Sequence, residues 1–134
     1  MRVSDRMPSS IEPAPELHVT GASVSTVRAD LIVVPVLEED AGDADLAAQS
    51  KTLAATLEVA RRSGEFSGRA FDMLVERVAD WATPRVLLVG CGKQADLSVE
   101  RVRRVASAAG LAAKKHRAPH VAFVLGGATP AGMA

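Results

Sequence analysis

Hydrophobic residues follow two patterns along this chain, and the two patterns alternate. Continuous runs rich in β-branched residues at 31–37, 86–89 and 121–125 predict strands that are buried on both faces. Residues 71–78 alternate between apolar and polar side chains, which predicts a half-exposed or edge strand. Pro35 cannot donate a hydrogen bond to a ladder, so we expect it near the end of its strand or at a bulge.

The segment after the first of these strands predicts a helix. Asp43 or Asp45 can cap its N-terminus, and Gly64 suits its C-terminal stop. One face of this helix is apolar and carries Leu46, Leu53, Leu57 and Ala60.

A second helix is predicted to begin at Ser98, whose side chain can cap it, and to stop at Pro119. Its apolar stripe consists of Val99, Val102, Val105, Ala106, Ala109 and Ala113. Cations complement the negative end of a helix, and the last turn holds Lys114, Lys115, His116 and Arg117. Strands that alternate with helices predict an α/β fold with a largely parallel sheet.

The chain has 134 residues, which suits one domain with a core of its own. Residues 1–16 contain three prolines and show no periodicity, so they predict a flexible leader. Residues 17–27 predict one or two short strands. We therefore expect the domain to span 17–126, followed by a flexible tail or the start of an interdomain linker at 127–134.

Composition indicates a soluble cytoplasmic protein. Apolar residues make up 48% of the chain and charged residues 24%, as in ordinary globular proteins. One cysteine excludes an internal disulfide and suits a reducing compartment. The first residues lack the apolar run of a signal peptide, and no stretch approaches the length of a membrane span.

Charge is unevenly distributed although the net charge is zero. Residues 1–80 contain 8 Lys and Arg against 14 Asp and Glu, whereas residues 81–134 contain 8 against 2. The basic residues of the second helix and its end could contact a subunit or the phosphates of DNA: Arg101, Arg103, Arg104, Lys114, Lys115 and Arg117. No aromatic residues are interleaved with them to stack bases, so a solvated face or a subunit contact is the favoured interpretation.

A glycine turn follows the strand at 86–89 and resembles a phosphate-binding loop. Gly90 and Gly92 match the first two positions of a dinucleotide fingerprint, but Ala95 stands at the third. The P-loop pattern also fails, because Gln94 follows the lysine where Ser or Thr is needed. The favoured interpretation is structural: the two glycines permit positive φ and a tight turn at a strand end.

Residues for metal or nucleophilic chemistry are sparse. The three histidines form no His-x-x-x-His pair, and one cysteine makes no thiolate cluster. The acidic run near residues 38–45 is expected to face water. Cys91 has no identifiable partner, so we expect a small buried hydrophobe.

Several segments, taken in order, resemble the leucine (cytosol) aminopeptidase family. Residues 30–36 (DLIVVPV) resemble its strand ADALVVPVFE, and residues 63–69 (SGEFSGR) are similar to its GDFKGK segment. Residues 86–93 (VLLVGCGK) resemble VLLVGLGK, and residues 97–104 resemble the pattern L-T/S-x-E-x-x-R that follows it. The resemblance covers about residues 17–125 and is to the amino-terminal domain of that family only.

This resemblance implies a macro-like domain, a three-layer α/β fold whose mixed, mostly parallel sheet is flanked by helices. In that family catalysis belongs to a carboxy-terminal domain with two divalent metals, Zn or Mn, and the NTDAEGR signature of that domain does not occur here. The resemblance therefore assigns no catalytic, cofactor-binding or metal-binding residue to this sequence, and we expect this chain alone not to hydrolyse peptides. It would be a piece of a longer enzyme or a stand-alone relative.

The family further implies an accessory role: building a homo-oligomer (a hexamer), shaping access to the active sites, or regulation. The expected partner is the catalytic domain of the parent chain, and some members contact DNA.

A nucleotide-binding module is the alternative. ADP-ribose-binding macro domains have sequences similar to GDI…DAIVNAAN. In that pattern the aspartate recognises adenine and the asparagines approach the ribose. Here Ala22 stands at the aspartate position and Pro35 at the first asparagine position. Specific recognition depends on a few placed polar groups, so these departures weigh against ADP-ribose.

Overall fold

The computed structural model describes residues 24–39, 50–79 and 81–124. This part of the chain forms four strands: β1 (Leu31–Leu37), β2 (Met73–Arg77), β3 (Arg85–Gly92) and β4 (Val121–Phe123). It also forms two α-helices, α1 (Lys51–Ser63) and α2 (Val99–Lys115), and two short 3-10 helices, Val24–Thr26 and Gln94–Asp96. The predicted leader and tail lie outside the described residues.

The four strands form one mixed sheet in the order β2-β3-β1-β4. β1 runs parallel to both β3 and β4, and β2 pairs antiparallel with β3. The predicted α/β class with a mostly parallel sheet is therefore confirmed. The edge position predicted for the strand within 71–78 is confirmed as well, because β2 is the last strand on its side of the described sheet.

The core consists of two apolar layers, one on each face of the sheet. Alternate residues of β1 and β3 pack against α1 on one face, and the residues between them pack against α2 on the other. α1 contributes Leu53, Leu57 and Ala60, and α2 contributes Val105, Ala109 and Ala113. The result is three layers, helix, sheet and helix.

β1 coincides with the predicted strand, and Pro35 is accommodated as expected. A bulge separates Val36 from Leu37. Val33 accepts a backbone hydrogen bond from Val124, so the odd-numbered residues of β1 turn their backbone groups towards β4. Pro35 is odd-numbered and lies beyond the last residue that β4 pairs in the described ladder, so its missing N–H group breaks no bond there.

α1 begins later than the sequence suggested. Its N-cap is Ser50, whose hydroxyl accepts a hydrogen bond from the Leu53 amide at 3.1 Å. The proposed caps Asp43 and Asp45 and the apolar Leu46 lie outside the described residues. Gly64 ends the helix in the left-handed conformation, as predicted.

α2 begins as predicted, since the Ser98 hydroxyl caps the Arg101 amide. Its apolar stripe is narrower than expected. Val99 is 49% exposed and Ala106 is exposed, whereas Val105, Ala109 and Ala113 are buried. No helix in the described ranges is long and apolar enough to span a membrane.

Two strand predictions fail where the structure describes them. Val24–Thr26 is a turn of 3-10 helix, so no strand forms in that part of the predicted range 17–27, and residues 17–23 lie outside the described residues. β4 is not a buried strand: it stops at Phe123, which is 44% exposed, because β4 pairs with β1 alone in the described sheet. A continuous apolar run cannot reveal whether a second neighbour covers it.

Phe71 occupies a position that favours glycine. Its φ is 70°, and its amide donates to the Gly90 carbonyl at 2.9 Å, while the Gly90 amide donates to the Asp72 carbonyl at 2.8 Å. This is the hydrogen-bond pattern of a G1 bulge, whose first residue is normally a left-handed glycine. The Asp72 amide closes the preceding turn on the Arg69 carbonyl. A bulky residue in this conformation is strained.

We expect Phe71→Gly to be more stable than Phe71→Ala by about 1 kcal/mol, because both variants lose the ring but only glycine relieves the left-handed strain. Urea unfolding of the two variants measures the difference. Val75→Ala and Val75→Gly serve as the control pair in regular β2, where alanine should be the more stable residue. An alanine variant as stable as the glycine variant at position 71 would contradict the strain.

Candidate functional site

The edge where β1 and β3 end is the place at which α/β sheets usually bind ligands. In this protein the edge is filled by the chain itself. The Gly92 amide donates to the Gly68 carbonyl at 2.9 Å, and the Glu38 amide donates to the Gly92 carbonyl at 3.0 Å. The end of β1, the end of β3 and the loop before β2 are thus joined by backbone hydrogen bonds. We call this arrangement, formed by residues 37–39, 66–72 and 90–94, the closed edge.

Glycines at the closed edge make room for neighbouring backbone. A Cβ atom on Gly90 would overlap the Arg69 carbonyl oxygen and lie 2.6 Å from the Gly68 carbonyl carbon. A Cβ atom on Gly68 would lie 2.8 Å from the Leu37 carbonyl oxygen. Only Gly92 of the predicted pair has positive φ, at 82°, so the expectation of positive φ at Gly90 is wrong. Gly90 is needed for close approach within a strand, not for a turn.

Arg61 holds the closed edge together. Its guanidinium donates to the carbonyl oxygens of Leu37, Glu38 and Ser67, each at 3.1 Å. It reaches them from the last turn of α1 and so connects the helix to the loop and to the end of β1. Sequence reasoning missed both Arg61 and Gly68, because nothing in the local pattern distinguishes this arginine from the exposed Arg62 beside it.

The start of the 3-10 helix Gln94–Asp96 already has an anionic partner. Both carboxylate oxygens of Glu39 accept from the Gln94 amide at 3.1 Å. A phosphate-binding loop would present such an amide to its ligand. These contacts support the structural interpretation of the glycine turn.

Cys91 lies in the core layer beneath α2 and is 2% exposed. Burial raises the pKa of its thiol, and this effect outweighs a backbone hydrogen bond from Val36 and the charge of Arg101, which both lower that pKa. A thiol that stays protonated is a poor nucleophile. The expectation of a small buried hydrophobe is confirmed.

The basic residues predicted as a contact surface do not form one cluster. Arg101 is half-buried and donates to the Cys91 carbonyl at 3.1 Å. Arg103 and Arg104 both bind Glu100, at 3.0 and 2.9 Å. The other three, Lys114, Lys115 and Arg117, are exposed near the opposite end of α2, roughly 16 Å away at 1.5 Å per residue. Their use as a DNA or subunit contact stays a prediction.

No metal site can be assigned in residues 24–39, 50–79 and 81–124. In these ranges no three His, Cys, Asp or Glu side chains come together in a way that could hold a metal ion.

Comparison with known proteins gives a family and a fold. The sequence model described as the N-terminal domain of the cytosol aminopeptidase family matches residues 33–133. No curated protein matches the chain. Among solved structures, a mutant of tomato leucine aminopeptidase superposes with a TM-score of 0.64 at 23% sequence identity. The match covers 92% of this chain and 25% of the tomato protein, so the chain spans about a quarter of that protein's length.

We expect Gly90→Ala to lower the free energy of unfolding by roughly 2 kcal/mol or more, because the added methyl group must displace backbone that cannot yield cheaply. Gly110→Ala is the matched control. Gly110 lies in α2 with no atom within 4 Å of an added Cβ, so this change should stabilise the protein by about 1 kcal/mol. Urea denaturation measures both variants, and a neutral Gly90→Ala would show that the edge is loosely packed.

Proposed function

This chain belongs to the cytosol aminopeptidase family, whose N-terminal domain it matches, and we propose that it acts as the non-catalytic accessory domain of a metal-dependent leucyl aminopeptidase. The observation that carries the proposal is the match of the N-terminal domain model over residues 33–133. The three-layer fold and its likeness to part of a leucine aminopeptidase agree with it. Removal of N-terminal amino acids from peptides would then be the work of the parent enzyme.

A non-catalytic role for this domain agrees with the contacts that its polar groups make. At the closed edge the Arg61 guanidinium is directed to backbone carbonyls, and the Glu39 carboxylate is directed to a backbone amide. Such groups hold loops together and are not arranged to activate water. The two divalent metals that the family resemblance implies, Zn or Mn, would be held by the catalytic domain of the parent chain.

The accessory role itself can take three forms: assembly of a homo-oligomer, with a hexamer as the expected state, control of access to the active sites, or regulation. The exposed side of α2 offers a surface for the first of these. Contact with DNA is a weaker candidate, because Arg103 and Arg104 already share an acidic partner. A cytoplasmic location agrees with the family's description.

Nucleotide binding is disfavoured by the closed edge. A ligand at the ends of β1 and β3 would have to displace residues 66–72, which are held there by several hydrogen bonds. The Pro35 position adds no polar group to replace those contacts.

We expect the purified chain to release no p-nitroaniline from leucyl-p-nitroanilide, with or without added Mn²⁺ or Zn²⁺. A full-length leucine aminopeptidase serves as the positive control, and a preparation of Gly90→Ala purified in parallel reveals contaminating host enzyme, whose activity would not depend on the variant. Turnover that co-elutes with the chain and disappears on chelation would overturn the proposal.

A further inference from the structure

A shallow depression lies at the opposite end of the sheet from the closed edge. It measures about 400 Å³ and is lined by Val75, Glu76, Arg77, Arg85 and His116. These residues come from the end of β2, the start of β3 and the C-terminal end of α2. The depression is therefore formed by three elements whose relative positions are fixed by the sheet and the core.

Two arginines stand directly opposite each other in this depression. Arg77 of β2 pairs with Arg85 of β3 in the antiparallel register. The Val78 amide donates to the Pro84 carbonyl, and the Gly90 amide donates to the Asp72 carbonyl. The backbone hydrogen bonds between β2 and β3 are therefore made by the even-numbered residues of β2, and Arg77 and Arg85 form a non-hydrogen-bonded pair. Side chains are closest in such pairs, and like charges placed opposite each other are destabilising.

Arg85 is fixed in place by carbonyl groups and not by a carboxylate. Its Nε donates to the Asp30 carbonyl at 3.2 Å, and its Nη1 donates to the His116 carbonyl at 2.9 Å. The second contact also satisfies a carbonyl at the negative end of α2. A guanidinium carries five N–H donors, so three of the five are not used by these two contacts.

No carboxylate neutralises this arginine pair within the described residues. The ion pairs found there involve neither Arg77 nor Arg85, and the Asp30 carboxylate is bound to His120 at 3.1 Å. Glu76 belongs to the lining of the depression as well, but strand alternation places its side chain on the opposite face of β2 from the Arg77 side chain. The face with the two arginines thus carries two positively charged side chains on paired positions of neighbouring strands.

We propose that this depression is an anion-binding site for the phosphate group of a small molecule, held between the guanidinium groups of Arg77 and Arg85. Guanidinium forks match the oxygen geometry of phosphate. A phosphate monoester carries about −1.5 to −2 charges at neutral pH, which balances two arginines, whereas a single carboxylate leaves one of them uncompensated. The site does not depend on the accessory role proposed above.

Thermal unfolding of the whole chain in millimolar inorganic phosphate, with sodium chloride at equal ionic strength as the reference, tests the site. We expect phosphate to raise Tm saturably and beyond the effect of chloride, because a ligand that binds only the folded state stabilises it. Arg77→Gln should abolish this difference. Without phosphate the same variant should have a Tm equal to or above that of the wild type, since it removes the like-charge pair.

Arg103→Gln is the matched control, because it also removes one exposed arginine but leaves the depression intact, and it should keep the phosphate response. Arg77 is substituted and not Arg85, because Arg85 also connects the start of β3 to the Asp30 and His116 carbonyls. General exclusion of phosphate from the protein surface stabilises the wild type and both variants equally. Binding at the site is therefore measured by the difference between their phosphate-induced shifts in Tm.

An Arg77→Gln variant that retains the full phosphate response would overturn the site, as would equal stabilisation of the wild type by phosphate and chloride. Acetate that stabilises the wild type as well as phosphate does would overturn the assignment of a phosphate ligand. Broadening of the phosphorus NMR signal of phosphate by the wild type, but not by Arg77→Gln, would support binding directly.

Discussion

The close approach of two backbone segments at the closed edge is the constraint on which the rest of this structure depends. Gly90 lies inside β3 with no room for a side chain, because the Gly68 and Arg69 backbone packs against it. The same contact fixes where the loop after α1 enters β2, and so fixes the register of the antiparallel pair. Arg61 then ties this loop to the end of β1, so helix, loop and sheet are joined at one place.

This constraint explains why a motif associated with ligands can serve packing instead. A glycine pair after a parallel strand lets something approach the backbone closely, but the sequence does not say what approaches. Here the approaching group is the protein's own main chain. The Glu39 carboxylate takes the place of a bound anion, because it accepts the hydrogen bond of the Gln94 amide.

Local signals in the sequence predicted the elements that local physics determines. The bounds of β1, the Ser98 cap and the Gly64 stop follow from side-chain branching, capping and the left-handed preference of glycine, and all three were predicted. The exposure of β4 depends on which neighbours are present, and a one-dimensional pattern does not contain that information. Arg61 and the opposed Arg77 and Arg85 were missed for the same reason, because their partners lie in other elements. The start of α1 at Ser50 is a local cap, and it was missed because Asp43 and Asp45 offered earlier candidate caps.

The bulge at Phe71 has a consequence for how this sheet ends. The odd-numbered residues of β2 turn their backbone N–H and C=O groups away from β3, towards the open side of the described sheet. A fibril grows when such a row of groups recruits an identical strand from another molecule. The kink next to β2 breaks that row after a few residues, so β2 is a poor template for runaway polymerisation.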